Sequence, residues 1–174
     1  MARQDMWVHG NAVMLRYPGG KGDPVGSPHT ANHQMNGVFD RATGGLVEWS
    51  DIVGFRQDFG VTFRGRANQR NNFMAVIPSP CIRDGKRALV DQVGFSFESD
   101  EAVLIDGVHV FDNRVHVADL PVHNLSGPHH DLVSNLNLFN IKPIPITAVG
   151  ITFDVFFSQE GNITFFCLGA VFEV

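Results

Sequence analysis

His109 and His116 are the residues of this chain whose type and spacing best suit chemistry. Imidazole changes charge near neutral pH and is the commonest side-chain ligand for borderline metals. The stretches Val108-His109-Val110-Phe111 and Arg114-Val115-His116-Val117 alternate in residue type around Asp112-Asn113, a pair that tolerates the positive φ of a tight hairpin turn. A two-residue turn there sets Phe111 against Arg114, His109 against His116 and Val108 against Val117. Four valines then fill one face, and two imidazoles, a phenyl ring and a guanidinium share the other.

Five histidines lie between His109 and His130. His109 and His116 joined by a third donor from the following loop would make an open three-ligand site with room for water or substrate. His123 is the preferred third metal ligand, with His129, His130 and Asp131 as alternatives. A transition metal is thus the one cofactor the sequence admits; no motif predicts any other. Against a metal, strict alternation leaves no acidic residue on the histidine face of these two strands. Asp106 and Asp119 fall opposite each other if the register holds that far, an acid/base pair at best and turn or edge residues in the ordinary case.

Arg56, Arg64, Arg66 and Arg70 crowd into fifteen positions, and Arg64 and Arg66 project from one strand face. Their planar forks suit carboxylate, phosphate or polyol oxygens, whereas the plain reading is a charged flank that protects an edge strand. Trp7, Trp49 and Phe59 are candidate stacking platforms for a sugar. Gly19-Gly20-Lys21-Gly22 lacks the spacing of a phosphate loop, and no serine stands in a nucleophile elbow.

The elements that must position these groups are strands. Period-two alternation recurs along the chain, as in Val93, Phe95 and Phe97, and in Val149, Ile151, Phe153, Val155 and Phe157. The last segment, Asn162 to Val174, is apolar on both faces and is expected to be central. Further strands are predicted near 7–16, 46–53, 61–66, 72–77, 103–110, 114–118 and 132–139. The fold class is therefore all-β, an antiparallel two-sheet sandwich of jelly-roll type, with a closed barrel as the alternative. At 174 residues the chain is read as a single domain, 1–174, interrupted by a long Gly/Pro-rich loop at 17–36 that is either an insertion or a lid.

Composition narrows the partners. Hydrophobic residues make up 44%, and 15 Phe against 1 Tyr suit a dry interior. A formal net charge of −5 disfavours nucleic acid and anionic membrane as partners. Cys81 and Cys167 are isolated and are expected to be reduced, and no signal-like stretch opens the chain, so the protein is expected to be cytoplasmic.

Several stretches together, His9-Gly10, Phe63-Arg64-Gly65, Asn72-Phe73, Ile77-Pro78-Ser79-Pro80, Val108-His109-Val110-Phe111-Asp112 and the terminal Gly169-Ala170-Val171-Phe172-Glu173-Val174, resemble the motifs of an uncharacterised family of small bacterial all-β proteins. Phe111, Asn113 and Val171 replace a tyrosine, a turn glycine and an aspartate of that pattern, and the 17–43 segment is longer. The resemblance implies a compact sandwich and brings no site residues.

The function expected is binding of a small molecule, a carbohydrate or another polar ligand, on a face carrying His109, Phe111, Arg114 and His116, with His123, Arg64 and Arg66 as further contacts. Two alternatives stand beside it: a small enzyme, metal-dependent or a cofactor-free cyclase or isomerase using the His109/His116 face, and a structural homo-oligomer.

Overall fold

The computed structural model describes residues 2–16, 37–40, 45–48, 55–65, 67–80, 85 and 87–174. The long 17–36 loop, Trp49, Arg66 and Cys81 lie outside the described residues.

Two antiparallel sheets pack face to face. The first is built on β14 (Gly161–Glu173), flanked by β8 (Leu89–Ser99) on one edge and by β6 (Gly60–Gly65) and then β1 (Arg3–His9) on the other. It is completed by β5 (Phe55–Gln57) beside β6, and by β11 (Pro128–His129) and β12 (Leu138–Pro145) beside β8. The second sheet runs in the order β10 (Val115–Leu120), β9 (Val103–Asp112), β13 (Val149–Phe157), β7 (Gln69–Ile77), β2 (Met14–Arg16). A separate hairpin joins β3 (Gly37–Asp40) to β4 (Gly45–Glu48). The chain crosses between the sheets at β1 to β2, β6 to β7, β7 to β8, β8 to β9, β10 to β11, β12 to β13 and β13 to β14, and returns from β2 to β5 by way of the β3–β4 hairpin, so strands distant in sequence become neighbours. Both sheets end in free edges among the described residues, which makes this a sandwich and not a closed barrel. No helix of the described residues is long and apolar enough to cross a membrane.

The core follows from alternation. Val149, Ile151, Phe153, Val155 and Phe157 are fully buried, leaving Gly150, Thr152, Asp154 and Phe156 on the outer face of the second sheet. Val93, Phe95 and Phe97 answer them from β8, and Ile163, Phe165, Leu168, Ala170 and Phe172 from β14. As expected of a segment apolar on both faces, β14 is central, paired on both edges. Its outer face is partly covered by Trp7, whose ring lies so close over Gly169 that a Cβ there would come within 2.3 Å of it. Trp7 is thus a structural cover over backbone. Cys167 is a half-buried free thiol whose pKa is pushed up by burial, against hydrogen bonding with Ser96 that lowers it.

Two predicted strands differ: the 7–16 stretch is broken by a 3-10 turn at Gly10–Ala12 and its halves join different sheets as β1 and β2, and the 132–139 strand is displaced. The 132–139 segment is a turn up to residue 137, and β12 begins only at Leu138. The cause is Asn137, fully buried, whose Oδ1 accepts from Val133 N (2.7 Å) while its Nδ2 donates to the carbonyls of His129 (3.1 Å) and Asp131 (2.9 Å). A buried amide with its bonds satisfied by the local backbone holds the chain in a turn that apolar alternation does not foretell.

Candidate functional site

The β9–β10 hairpin forms, but its reversal lies one residue beyond the expected place. Asp112 pairs with Val115, so the turn residues are Asn113 and Arg114, with Asn113 at φ 54. Asp112 is drawn into the ladder because its Oδ1 accepts from the backbone N–H groups of Thr147 (2.9 Å) and Ala148 (3.0 Å) on the neighbouring connection. His116 consequently faces Phe111, and the expected pairing of His109 with His116 is replaced by His109 with Asp119. Val115 is correspondingly exposed at the tip and does not line the underside.

The two imidazoles still meet, and a bulge is the reason. The register shifts between His116 and Ala118, leaving Val117 as an extra residue on β10. In an unbroken strand, positions three apart point to opposite faces; one inserted residue returns them to the same face. His116 and Asp119 therefore share the outer face with His109. The ring centroids of His109 and His116 are 5.9 Å apart at 61°, and Phe111 sits edge-on to His116 at 5.4 Å.

Asp119 is the centre of the cluster. Its Oδ1 lies 2.5 Å from His109 Nδ1 and 2.7 Å from His116 Nε2. The other nitrogen of His109, Nε2, lies 3.2 Å from Asp154 Oδ2 on β13, and Asn72 Nδ2 of β7 donates to the second oxygen of Asp154. A polar chain thus spans four adjacent strands: His116 and Asp119 on β10, His109 on β9, Asp154 on β13, Asn72 on β7. The expectation that no acid of these two strands shares the histidine face is overturned by the bulge that turns Asp119 outward, and β13 adds Asp154 to the same face. Asp106, expected opposite Asp119, forms an ion pair with Arg70 instead, and Arg70 also lies over the Phe156 ring at 5.0 Å.

Burial alone would lower the pKa of His109, but its hydrogen bonds to Asp119 and Asp154 and the charges of both carboxylates outweigh it, and the net shift is upward from 6.5. Asp119 is lowered from 3.8, by hydrogen bonds from His109 and then His116. The ring's contribution to stability is therefore complete below 6.5 and is lost as pH rises through its raised folded value. That of Asp119 is complete above 3.8 and is lost as pH falls through its lowered one. Urea unfolding of chelator-treated protein should give a lower midpoint at alkaline pH than near pH 6, with part of that drop missing in His109→Gln. An equal drop in the variant would show that other groups carry it. Gly107 guards this geometry, because a Cβ there would sit 3.2 Å from His109 Nε2. Gly107→Val should push the ring off Asp154 and lower the His109 pKa, as read by NMR titration of its ring protons; an unmoved titration would mean the ring does not depend on that space.

Beside the cluster lies a cleft of about 500 Å³ on the same outer face. Gly150 forms its floor, flanked by Phe111 on β9 and by Met74 and Val76 on β7. Asn113 and Arg114 of the turn also line it, as does Thr152, which is in register with His109. The absence of a side chain at Gly150 makes the hollow, since its neighbours on both strands are large.

Of the expected contacts, the structure brings together His109, Phe111, Arg114 and His116. It does not bring His123 to them. That residue is exposed on the connection after β10, and the donor added to the two imidazoles is Asp119. The connection does not overhang the site either: it crosses to the other sheet, where His129 stacks on Phe97 at 4.8 Å and His130 bonds Glu98 at 3.0 Å. Arg64 also belongs to the other sheet, ion-paired with Glu160. Asp154, Thr152, Gly107 and Gly150 were missed by sequence reasoning. Outward alternation in β13 was the available signal for the first two, but the pairing of β13 with β9 was not predictable from local pattern.

No protein-family model, curated protein or solved structure matches this chain.

Proposed function

We propose that this protein is a small-ligand-binding β-sandwich module whose site is the cleft over Gly150. The observation that carries the reading is that hollow of about 500 Å³, already formed on the outer face of the second sheet beside the cluster of His109, His116 and Asp119. Its chemistry suits a molecule with an apolar body against Met74, Val76 and Phe111 and a polar or anionic head toward Arg114, Asn113 and Thr152. A monosaccharide or a small carboxylic acid has that character, and the Arg114 guanidinium offers a fork for a carboxylate or for vicinal hydroxyls.

Filling the cleft tests this. Ligand-observed NMR against a panel of neutral monosaccharides and small aliphatic and aromatic carboxylates should find binders whose signal disappears in Gly150→Trp and weakens at least tenfold in Arg114→Ala. A panel without binders, or one whose binders ignore Gly150→Trp, would remove the reading.

The enzymatic alternative draws on one specific observation. His109, with both ring nitrogens on carboxylates, lies in register with Thr152 of the cleft, and an imidazole so flanked can carry a proton between its partners. Turnover of a bound panel member, lost in His109→Gln while binding persists, would favour it.

A further inference from the structure

We propose that His109 Nδ1, His116 Nε2 and Asp119 Oδ1 bind a divalent first-row transition-metal cation on the outer face of the second sheet. The proposal stands independently of the cleft reading.

Three observations carry it. The first is convergence. One oxygen of Asp119 lies within 2.7 Å of a nitrogen from each of two imidazoles, and a ligand atom from each of the three residues falls within 4.8 Å of the others. The second is the neighbour of His109. A metal-bound imidazole ordinarily gives its remaining N–H to a carboxylate, which fixes the ring. His109 Nε2 meets Asp154 Oδ2 at 3.2 Å, and Asp154 is in turn held by Asn72. The third is an electronic mismatch. A neutral His109 has one N–H and one lone pair, yet both of its nitrogens face carboxylate oxygens. In the neutral ring, whichever tautomer is present, one lone pair is aimed at an anion, and either a second ring proton or a bound cation relieves that contact. A cation seated on the Nδ1 side turns that repulsion into coordination.

Charge agrees. Two carboxylates flank the two imidazoles, and among the described residues no lysine or arginine is ion-paired to either Asp119 or Asp154. Arg70 is taken up by Asp106. Two imidazole nitrogens with one carboxylate oxygen suit Zn²⁺, Co²⁺, Ni²⁺ or Fe²⁺ better than the all-oxygen preference of Ca²⁺ and Mg²⁺. Three protein ligands also leave positions open for water or an exogenous donor. The other histidine contacts among the described residues bring no second ligating side chain but Glu98: His9 accepts from Asn11 N. His129 bonds a backbone carbonyl, and His130 pairs with Glu98 alone.

The test is titration of metal-free, untagged protein with Co²⁺, followed by visible absorbance and calorimetry at pH 7.5, with Zn²⁺ competition. One Co²⁺ per chain with micromolar or tighter affinity is expected. His109→Ala, His116→Ala and Asp119→Ala should each lose at least about tenfold, and Asp154→Asn, which keeps all three donors, roughly 10- to 100-fold. His130→Ala is the control for incidental surface histidines and should leave the affinity unchanged. Gly150→Trp should also leave it unchanged, which separates this site from the cleft. Circular dichroism of each variant checks that the sandwich persists; the ligating side chains lie on the surface, away from the core. Affinity weaker than millimolar, or affinity retained by well-folded His109→Ala and Asp119→Ala, overturns the proposal.

Discussion

Phe153→Ala will lower the stability of the sandwich by about 3 to 5 kcal/mol, the range for truncating a fully buried phenylalanine whose surroundings relax only in part. Phe153 projects from the middle of β13 with no exposed surface, and its ring meets those of Phe95 on β8 at 5.1 Å and Phe165 on β14 at 5.0 Å. It therefore joins the second sheet to the two innermost strands of the first. The void would open between sheets whose backbones are fixed by ladders on both sides: β13 pairs with β9 along one edge and β7 along the other, so neither can slide in to fill it. Urea unfolding followed by tryptophan fluorescence measures the loss. Phe59→Ala is the contrast, because that ring is 57% exposed and its removal should fall within about 0.5 kcal/mol of neutral. A Phe153→Ala loss below about 1 kcal/mol would mean the two sheets are less tightly coupled than their ring contacts imply. The same substitution bears on the site. Thr152 and Asp154 flank Phe153 on the opposite face, so a shift of β13 at this point loosens the carboxylate that holds His109.

Residues 149–157 show why part of this architecture is readable from the sequence. A strand with one face in the core and one in solvent must alternate, and the five inward side chains of β13 are the five that alternation selects. The continuous apolar run of β14 likewise gives away a strand with neighbours on both edges. What alternation cannot report is where it fails. Val117 differs in no local property from Val115, yet as the bulged residue it decides that Asp119 faces His109 and not the core. The turn was misplaced by one residue because the deciding contact, Asp112 with the backbone at 147 and 148, lies some 35 residues away in the chain. Asp154 was missed for a related cause: cross-strand partners in a sandwich whose chain crosses repeatedly between sheets are set by tertiary packing, on which local pattern is silent. Asn137 is the converse case, a polar residue buried where an apolar-rich segment suggested a strand.

The His9-Gly10 pair noted in the sequence is explained by a single carbonyl, and Gly10→Ala is expected to cost about 3 kcal/mol, at the upper end of the range for overpacking. A Cβ on Gly10 would fall 1.8 Å from the Phe165 carbonyl oxygen and 2.5 Å from its carbon. Gly60 presses on the same oxygen, with a Cβ distance of 2.2 Å. The crowding has a topological origin. β14 is paired with β6 up to Phe165 and with β1 from Cys167 onward, so the two shorter strands meet end to end along one edge, and both abut the carbonyl where the exchange occurs. His9 helps to turn the chain away there, its Nδ1 accepting from Asn11 N at 3.2 Å. A flexible side chain could swing clear of a new methyl group, but a backbone carbonyl inside a ladder cannot, so either β14 bends or β1 detaches. Gly60→Ala should behave alike, and the double variant should cost less than the sum of the two, because a carbonyl displaced once has already made room. Gly150→Ala provides the comparison: its nearest contact would be Phe111 Cβ at 3.7 Å, ordinary van der Waals distance, and it should be close to neutral. Equal urea midpoints for Gly10→Ala and Gly150→Ala would contradict the account. Proteolysis of β1 ahead of the rest of the sandwich in Gly10→Ala would identify detachment, not bending, as the way the strain is released.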